Sequence, residues 1–261
     1  GEDTLSLHDA LPISPAAFLL SSARSGSTLL RVMLAGHPQL FSPPELHLLM
    51  YASMREREAG LPSAHFGSGL PRALMELLDR DLPRAEAEVR RMLADDAPIP
   101  EVYRRLQTLC HPRLLVDKSP SYAEQIATLR RAPAIFEGVI FLHLVRHPLA
   151  VIESYVRNRI GSMSKQPGAD PWQAGEEHWL RCNRNIVAFL AESGQRAHLL
   201  RFEDLVADPG PTMDRVAAAL GVPNVMPATV ILRADGSVAK ILPQAFTSAD
   251  EIAAAVENAF R

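Results

Sequence analysis

Cysteine is nearly absent. Two residues, Cys110 and Cys182, in a chain of 261 exclude a disulfide framework, a CxxC redox pair and a thiolate zinc site; both are expected to be reduced and buried. No apolar run approaches the roughly 20 residues that a membrane-spanning helix needs. GVIFLHLV is far too short, and no membrane partner is expected. An excess of positive charge is missing as well. Lys and Arg number 27 against 30 Asp and Glu, a formal net charge of −3, so nucleic acid is not expected as the main partner and any polyanion site must be local. There is no low-complexity tract and no internal repeat. What is present, 47% hydrophobic and 22% charged residues, suffices for one good core and is ordinary for an α/β domain.

The chain opens GEDTLSLHDALPIS, which has neither the basic start nor the long apolar centre of a secretory signal; the protein is expected to act in the cytoplasm. TLSLHDALPI resembles the translation of a sequencing-library adapter in one frame, so residues 1–14 are expected to be a non-native leader without function. At the other end, MPATVILRADGSVAKIL reads as a strand, an Asp235–Gly236 turn and a second strand, a hairpin pattern. SADEIAAAVENAF follows as an amphipathic helix in which Ser248 and Glu251 have capping-box spacing. Over residues 222–261 this order resembles the closing third of a thioredoxin-like domain. With no CxxC before it, the resemblance implies no redox activity; the tail is either a C-terminal variation or one part of a chimera.

Between the ends, residues 15–221 read as one α/β domain. Strands are expected at 17–21, 40–42, 113–118, 138–145 and 197–202, with helices at 27–35, after 148 and over 174–192. Residues 46–110 carry helical patterns (ELHLLMYASMRERE, PRALMELLDRD, RAEAEVRRMLA, PEVYRRLQTL) and little strand signal. The fold expected is therefore α/β: a P-loop-like parallel sheet flanked by helices, an all-helical insert capping its edge, and a C-terminal β-hairpin plus helix. Ligands belong at the carboxyl ends of such strands.

FLLSSARSGSTLLRVMLAGHP joins an apolar run, a tight loop of small residues around one arginine, and a helical pattern. Set against GxxxxGK[ST] with Gly26 as the second glycine, Ser21 replaces the first glycine and Ser27 the lysine; only Gly26 and Thr28 match. Amides at the helix start can still cradle an anion, Gly26 permits close approach, and Arg24 offers a planar fork of donors. Without the lysine and an acidic partner for Mg²⁺, the charge of a triphosphate goes uncompensated, so the loop suits a less charged phospho group bound without metal. Taken alone, the same residues equally describe a helix start capped by Ser25 or Ser27 with Arg24 in solvent. In FLHLVRHPLAVIESYVRNR, Arg146 ends a buried strand, Pro148 opens a helix and Ser154 lies about two turns in. Arginine and serine can thus converge on one phosphate. Each is common alone; two anion sites on neighbouring strand–helix junctions are much rarer.

SARSGSTLLRVMLAGHPQLFSPPELHLL, LLVDKSPSYA, LVRHPLAVIESYVRN and RFEDLVADP, in that order over about residues 17–220, together resemble the sulfotransferases that use 3′-phosphoadenosine 5′-phosphosulfate (PAPS). PPELHLL is similar to sulfotransferase domains attached to polyketide assembly lines, and RSGST to protein-tyrosine sulfotransferases. The resemblance implies that Arg24 and the amides of Ser25, Gly26, Ser27 and Thr28 bind the 5′-phosphosulfate, Arg24 also steadying the bridging oxygen. It implies that Arg146 and Ser154 bind the 3′-phosphate, with Phe202 where relatives often carry a tyrosine near the adenine. Lys118 is implied to stabilise the group in transfer. Glu45 is implied to be the base that takes the proton of a small-molecule or carrier-bound hydroxyl acceptor; His47, in the first turn of an expected helix, and His178, facing the cleft, are the alternatives. Asn158, four positions beyond Ser154, stands where some relatives carry a further arginine, and the region after Leu220 departs from the family. Two rival readings follow: a P-loop kinase or NTPase-like nucleotide-binding protein, and a catalytically incomplete, chimeric or truncated sulfotransferase core.

Overall fold

The computed structural model describes residues 13–61, 67–158 and 170–224, the strand pair Thr229–Leu232 and Val238–Leu242, and Asp250, Ala253, Ala254 and Glu257. Five strands, β1 (Ala17–Leu20), β2 (Leu40–Phe41), β3 (Leu114–Asp117), β4 (Ile140–Val145) and β5 (Ala197–Arg201), form a parallel sheet in the order β2-β3-β1-β4-β5. All five expected strands are present. Their unbroken apolar runs have a plain cause: successive side chains pass to opposite faces, and both faces are covered. Phe18 and Leu20 enter one core while Ala17 and Leu19 enter the other.

The first core is closed by the helices described in the insert between β2 and β3. With α1 at Ser27–Ala35, these are α2 (Met54–Gly60), α3 (Gly69–Leu77), α4 (Leu82–Ala94) and α5 (Ile99–Cys110). Helices α6 (Ile126–Ile135) and α8 (Pro171–Ser193) complete it, and Phe18 sits at its centre against the rings of Tyr103, Tyr122, Phe136 and Phe141. The second core is covered by α1, α9 (Phe202–Ala207) and α10 (Pro209–Leu220), through Leu30, Leu34, Leu205, Met213 and Val216. Helix α7 (Pro148–Arg157) follows β4 and packs on α8. Cys110 and Cys182 are free and buried. Among the described residues no helix is long and apolar enough to cross a membrane.

Two helix starts differ from the sequence expectation. Residues 46–50 are not helical, and α2 begins only at Met54. Its N-cap is Ser53, whose hydroxyl accepts from Glu56 N at 3.4 Å while Glu56 Oε2 accepts from Ala52 N at 2.6 Å, so the capping signal sat eight residues further on. Helix α8 begins at Pro171 because Asp170 Oδ1 accepts from Trp172 N at 3.0 Å. At the chain's start, Ile13 is buried, accepts from Glu137 N and donates to Ile135 O; packing thus begins within the expected leader, of which residues 1–12 lie outside the described residues. Near the end, β6 (Thr229–Leu232) and β7 (Val238–Leu242) pair antiparallel, as the hairpin pattern implies. The Asp235–Gly236 turn and the Ser248–Glu251 capping box lie outside the described residues.

Candidate functional site

Each strand of the sheet contributes one candidate residue just beyond its carboxyl end: Arg24 after β1, Glu45 after β2, Lys118 after β3, Arg146 after β4 and Phe202 after β5. Parallel strands bring all of these to one edge.

The first loop is built by backbone geometry. Gly26 is the N-cap of α1 with φ 88° and ψ 12°, and no side chain caps the helix. The alternative reading, a cap by Ser25 or Ser27, is not what forms: neither side chain caps the helix, and Ser25 Oγ is turned to Ser22 Oγ at 2.8 Å; the first-turn amides keep their anion-seeking character. Arg24 is also left-handed, with φ 68°, a conformation that costs a non-glycine residue about 1 kcal/mol or more. Beneath the loop, His178 Nε2 accepts the Ala23 N–H at 3.2 Å, and its ring stacks on Tyr155 at 5.2 Å between centroids. Burial, reinforced by the Arg181 charge, lowers the His178 pKa to about 4. The structure therefore puts this histidine under the loop as a neutral support, 5% exposed, and not in the cleft.

Phe202 lies directly on Gly26: a Cβ added there would come 2.2 Å from its ring. Space and φ both demand glycine. Gly26→Ala is expected to cost about 1–3 kcal/mol, and thermal unfolding should show a Tm lower by about 3–10 °C, with Phe202 displaced from the loop.

The Arg146 guanidinium stacks 4.6 Å from the centroid of the Phe202 ring, and its Nη1 donates to Arg24 O at 3.1 Å. Arg146, Phe202 and the first loop are thus packed together. The strand end is fixed from behind, Trp179 Nε1 donating to Arg146 O at 3.1 Å and His147 N to Glu203 Oε1 at 2.8 Å. Ser154 is engaged by Arg24, whose Nε donates to Ser154 Oγ at 3.0 Å. The two expected anion sites are therefore joined through Arg24. Asn158 closes α7, its Nδ2 donating to Ser154 O at 2.7 Å.

The other half of the site is an ion pair. Lys118 Nζ donates to Glu45 Oε1 at 2.5 Å and stands 3.5 Å from Thr28 Oγ1. His47 Nε2 is 3.4 Å from Glu45 Oε2, and its Nδ1 shares a 2.9 Å hydrogen bond with Ser121 Oγ. This arrangement is satisfied when the serine donates and the protonated Nε2 faces the carboxylate. Burial by itself would raise the Glu45 pKa; the hydrogen bond from His47 and the charge and hydrogen bond of Lys118 overturn that and hold it at about 2. Lys118 is 2% exposed and its pKa is pushed down by burial against the pull of Glu45. Glu45 keeps 37% of its side-chain surface open, enough to meet an incoming hydroxyl. Since its folded pKa lies below the ordinary 4.5, the pair stabilises the chain above that pH, and this stability is lost as pH falls toward about 2.

The sequence reading missed why Glu45 points here. The segment after it is held open by partners more than 70 residues away: Ser119 Oγ accepts His47 N at 3.1 Å, and Tyr122 OH accepts Leu48 N at 3.0 Å and Leu49 N at 3.3 Å. Arg57 donates twice to Leu46 O, at 3.1 and 2.9 Å, and Gly69 packs so close that a Cβ would come 1.8 Å from Glu45 O. His47 accordingly has φ 49° and is not in a helical turn. The available signal was DKSPSY itself, every polar side chain of which enters this cluster.

A family model described as the sulfotransferase family matches residues 15–227. The chain belongs to the sulfotransferase family. Two solved sulfotransferase structures extend the match. The sulfotransferase domain from the curacin biosynthetic pathway superposes with a TM-score of 0.81 at 38% identity, covering 89% of this chain and 86% of that one. The domain from the Synechococcus PCC 7002 olefin synthase gives 0.75 at 42% identity, covering 82% and 75%. Nodulation protein NoeE of Sinorhizobium fredii (strain NBRC 101917 / NGR234) is 27% identical over 228 residues, 82% of this chain but 51% of NoeE, so this sulfotransferase spans about half the length of that relative. Membership in the family removes the kinase and NTPase reading of the first loop.

Proposed function

We propose that this sulfotransferase moves a sulfuryl group from PAPS to a hydroxyl. The observation that carries the reading is the convergence of three cations, Arg24, Lys118 and Arg146, with the uncapped start of α1 and the ring of Phe202 at one sheet edge. That donor set fits the nucleotide at both ends. Arg24 and the amides of Ser25 to Thr28 hold the 5′ group, Arg146 and Ser154 the 3′-phosphate, and Phe202 packs against the adenine. When bound, PAPS supplies a sulfuryl group activated by its anhydride link to phosphate. Arg24 and Lys118 neutralise charge where it develops, and Glu45 receives the acceptor's proton. Lys118 stands between Glu45 and Thr28 of the anion loop, so an anion on the loop competes with the base for it. As Lys118 turns to the anion, Glu45 loses part of what depresses its pKa and becomes the stronger base.

The acceptor class, a hydroxyl on a small-molecule or carrier-bound intermediate, follows from the resemblance of PPELHLL to polyketide-associated sulfotransferase domains, and is in keeping with the two relatives of 38% and 42% identity, named for a biosynthetic pathway and an olefin synthase. Calorimetric titration with 3′-phosphoadenosine 5′-phosphate (PAP) tests the reading. A dissociation constant in the micromolar range or below, near −8 kcal/mol, is expected and should not change with EDTA. ATP with Mg²⁺ should bind at least about a hundredfold more weakly, as it lacks a group for Arg146. Equal affinity for the two nucleotides overturns the proposal.

A further inference from the structure

Asp117 and Lys118 leave β3 side by side but face opposite ways: Lys118 reaches Glu45, while Asp117 is completely buried in a cage of hydroxyls. Its Oδ2 accepts from Tyr103 OH at 2.6 Å and Tyr122 OH at 2.8 Å, and its Oδ1 from Ser119 Oγ at 3.4 Å. Two of these hydroxyls have a second task. Tyr122 OH, its proton committed to Asp117, accepts the amides of Leu48 and Leu49; Ser119 Oγ accepts that of His47. One donor and two acceptor sites fill the hydrogen-bonding capacity of the tyrosine hydroxyl. A donor polarised by a buried acceptor becomes a better acceptor itself.

We propose that Tyr122 and Ser119 are positioning residues: anchored on Asp117, they fix three successive backbone amides, His47 to Leu49, and so hold Glu45 against Lys118. The same strand end then carries the lysine and the anchor of its partner, which makes their separation a property of β3 and not of a loop. β3 is itself locked in register, Phe18 of β1 pairing with Asp117. Tyr103 provides the internal contrast: its hydroxyl reaches Asp117 at 2.6 Å and lies 3.5 Å from Tyr122 OH, but among the described contacts it takes no amide of the segment.

The test follows the Glu45 carboxyl carbon by NMR in protein labelled with ¹³C at the glutamate side-chain carboxyl, from pH 7 down to about pH 3.5, with the signal assigned by its loss in Glu45→Gln. In the native chain the signal stays ionised throughout. In Tyr122→Phe the segment loses the one oxygen that accepts two of its amides, so Glu45 is expected to titrate near the ordinary carboxylate value of about 4.3, with the amides of Leu48 and Leu49 exchanging at least about tenfold faster. In Tyr103→Phe both readouts stay native. If Tyr122→Phe does not fold, Ser119→Ala carries the same titration with the amide of His47. A Glu45 signal still ionised at pH 3.5 in the folded variant, or one that moves equally in Tyr103→Phe, overturns the positioning role. The inference rests on the proposed function only in giving Glu45 its part in transfer. Neither nucleotide nor acceptor enters the titration, so its failure leaves sulfuryl transfer standing, and failure of PAP to bind leaves the titration standing.

Discussion

Arg146→Ala is expected to weaken PAP binding by about 30-fold to several thousandfold while leaving the chain folded. The two effects separate because of how little of the fold depends on this side chain. It is half-buried, stacks on Phe202 and donates once to Arg24 O; a stacking contact of this kind is worth about 0.5–1 kcal/mol at such a site. The strand end stays fixed by Trp179 and Glu203, which bond the backbone of residues 146 and 147. A bidentate arginine on a phosphate is a stronger contact, and truncating one partner of such a charged pair costs about 2–5 kcal/mol. That corresponds to about 30-fold to several thousandfold in dissociation constant. Calorimetric titration with PAP and with adenosine 5′-phosphate in parallel reads the effect: native protein should prefer PAP strongly, and the variant should treat the two nearly alike. A variant that keeps the full preference for PAP removes Arg146 from the 3′ site. Loss of affinity for both nucleotides with a fall in Tm would instead assign it to holding the first loop.

What could be read before the structure follows from what was local. β1 and β4 were legible because a strand buried on both faces must be apolar throughout, and α1 because STLLRVMLA carries a helical pattern directly after a loop of small residues. The segment from Glu45 was misread for the opposite reason. ELHLLMYASMRERE has good helix formers in a helical rhythm, yet its amides at 47–49 are taken by Ser119 and Tyr122 and the carbonyl of Leu46 by Arg57. Side-chain partners on both the amides and the carbonyl thus override a weak intrinsic preference. The identities of Glu45 and Lys118 as site residues came from motif resemblance; their 2.5 Å contact could not, since it joins the ends of β2 and β3 across the whole helical insert. The placing of His178 likewise depended on a neighbour 155 residues away in sequence, the amide of Ala23.

Glu45→Gln is expected to lower turnover by about 10²–10⁴-fold while PAP affinity holds or tightens. Glutamine keeps an oxygen for Lys118 Nζ and avoids stranding a buried ammonium opposite an apolar side chain, which would cost about 3–5 kcal/mol. It removes the proton acceptor and the charge that competes with a loop-bound anion for Lys118. Were Glu45 only structural support, both losses would appear as weaker binding and a lower Tm, with turnover following in proportion. The pH dependence adds an independent sign. With its pKa at about 2 in the unliganded chain, Glu45 is ionised at every working pH, so binding of PAP should be insensitive to its protonation between pH 5 and 8. In the ternary state, with Lys118 drawn to the anion, the carboxyl's pKa rises toward the ordinary range and kcat should fall on the acid side below it. Glu45→Gln should abolish that acid limb along with most of the rate. Turnover that survives with its acid limb intact would move the base to His47, the only other titratable side chain bonded to this carboxylate among the described contacts besides Lys118.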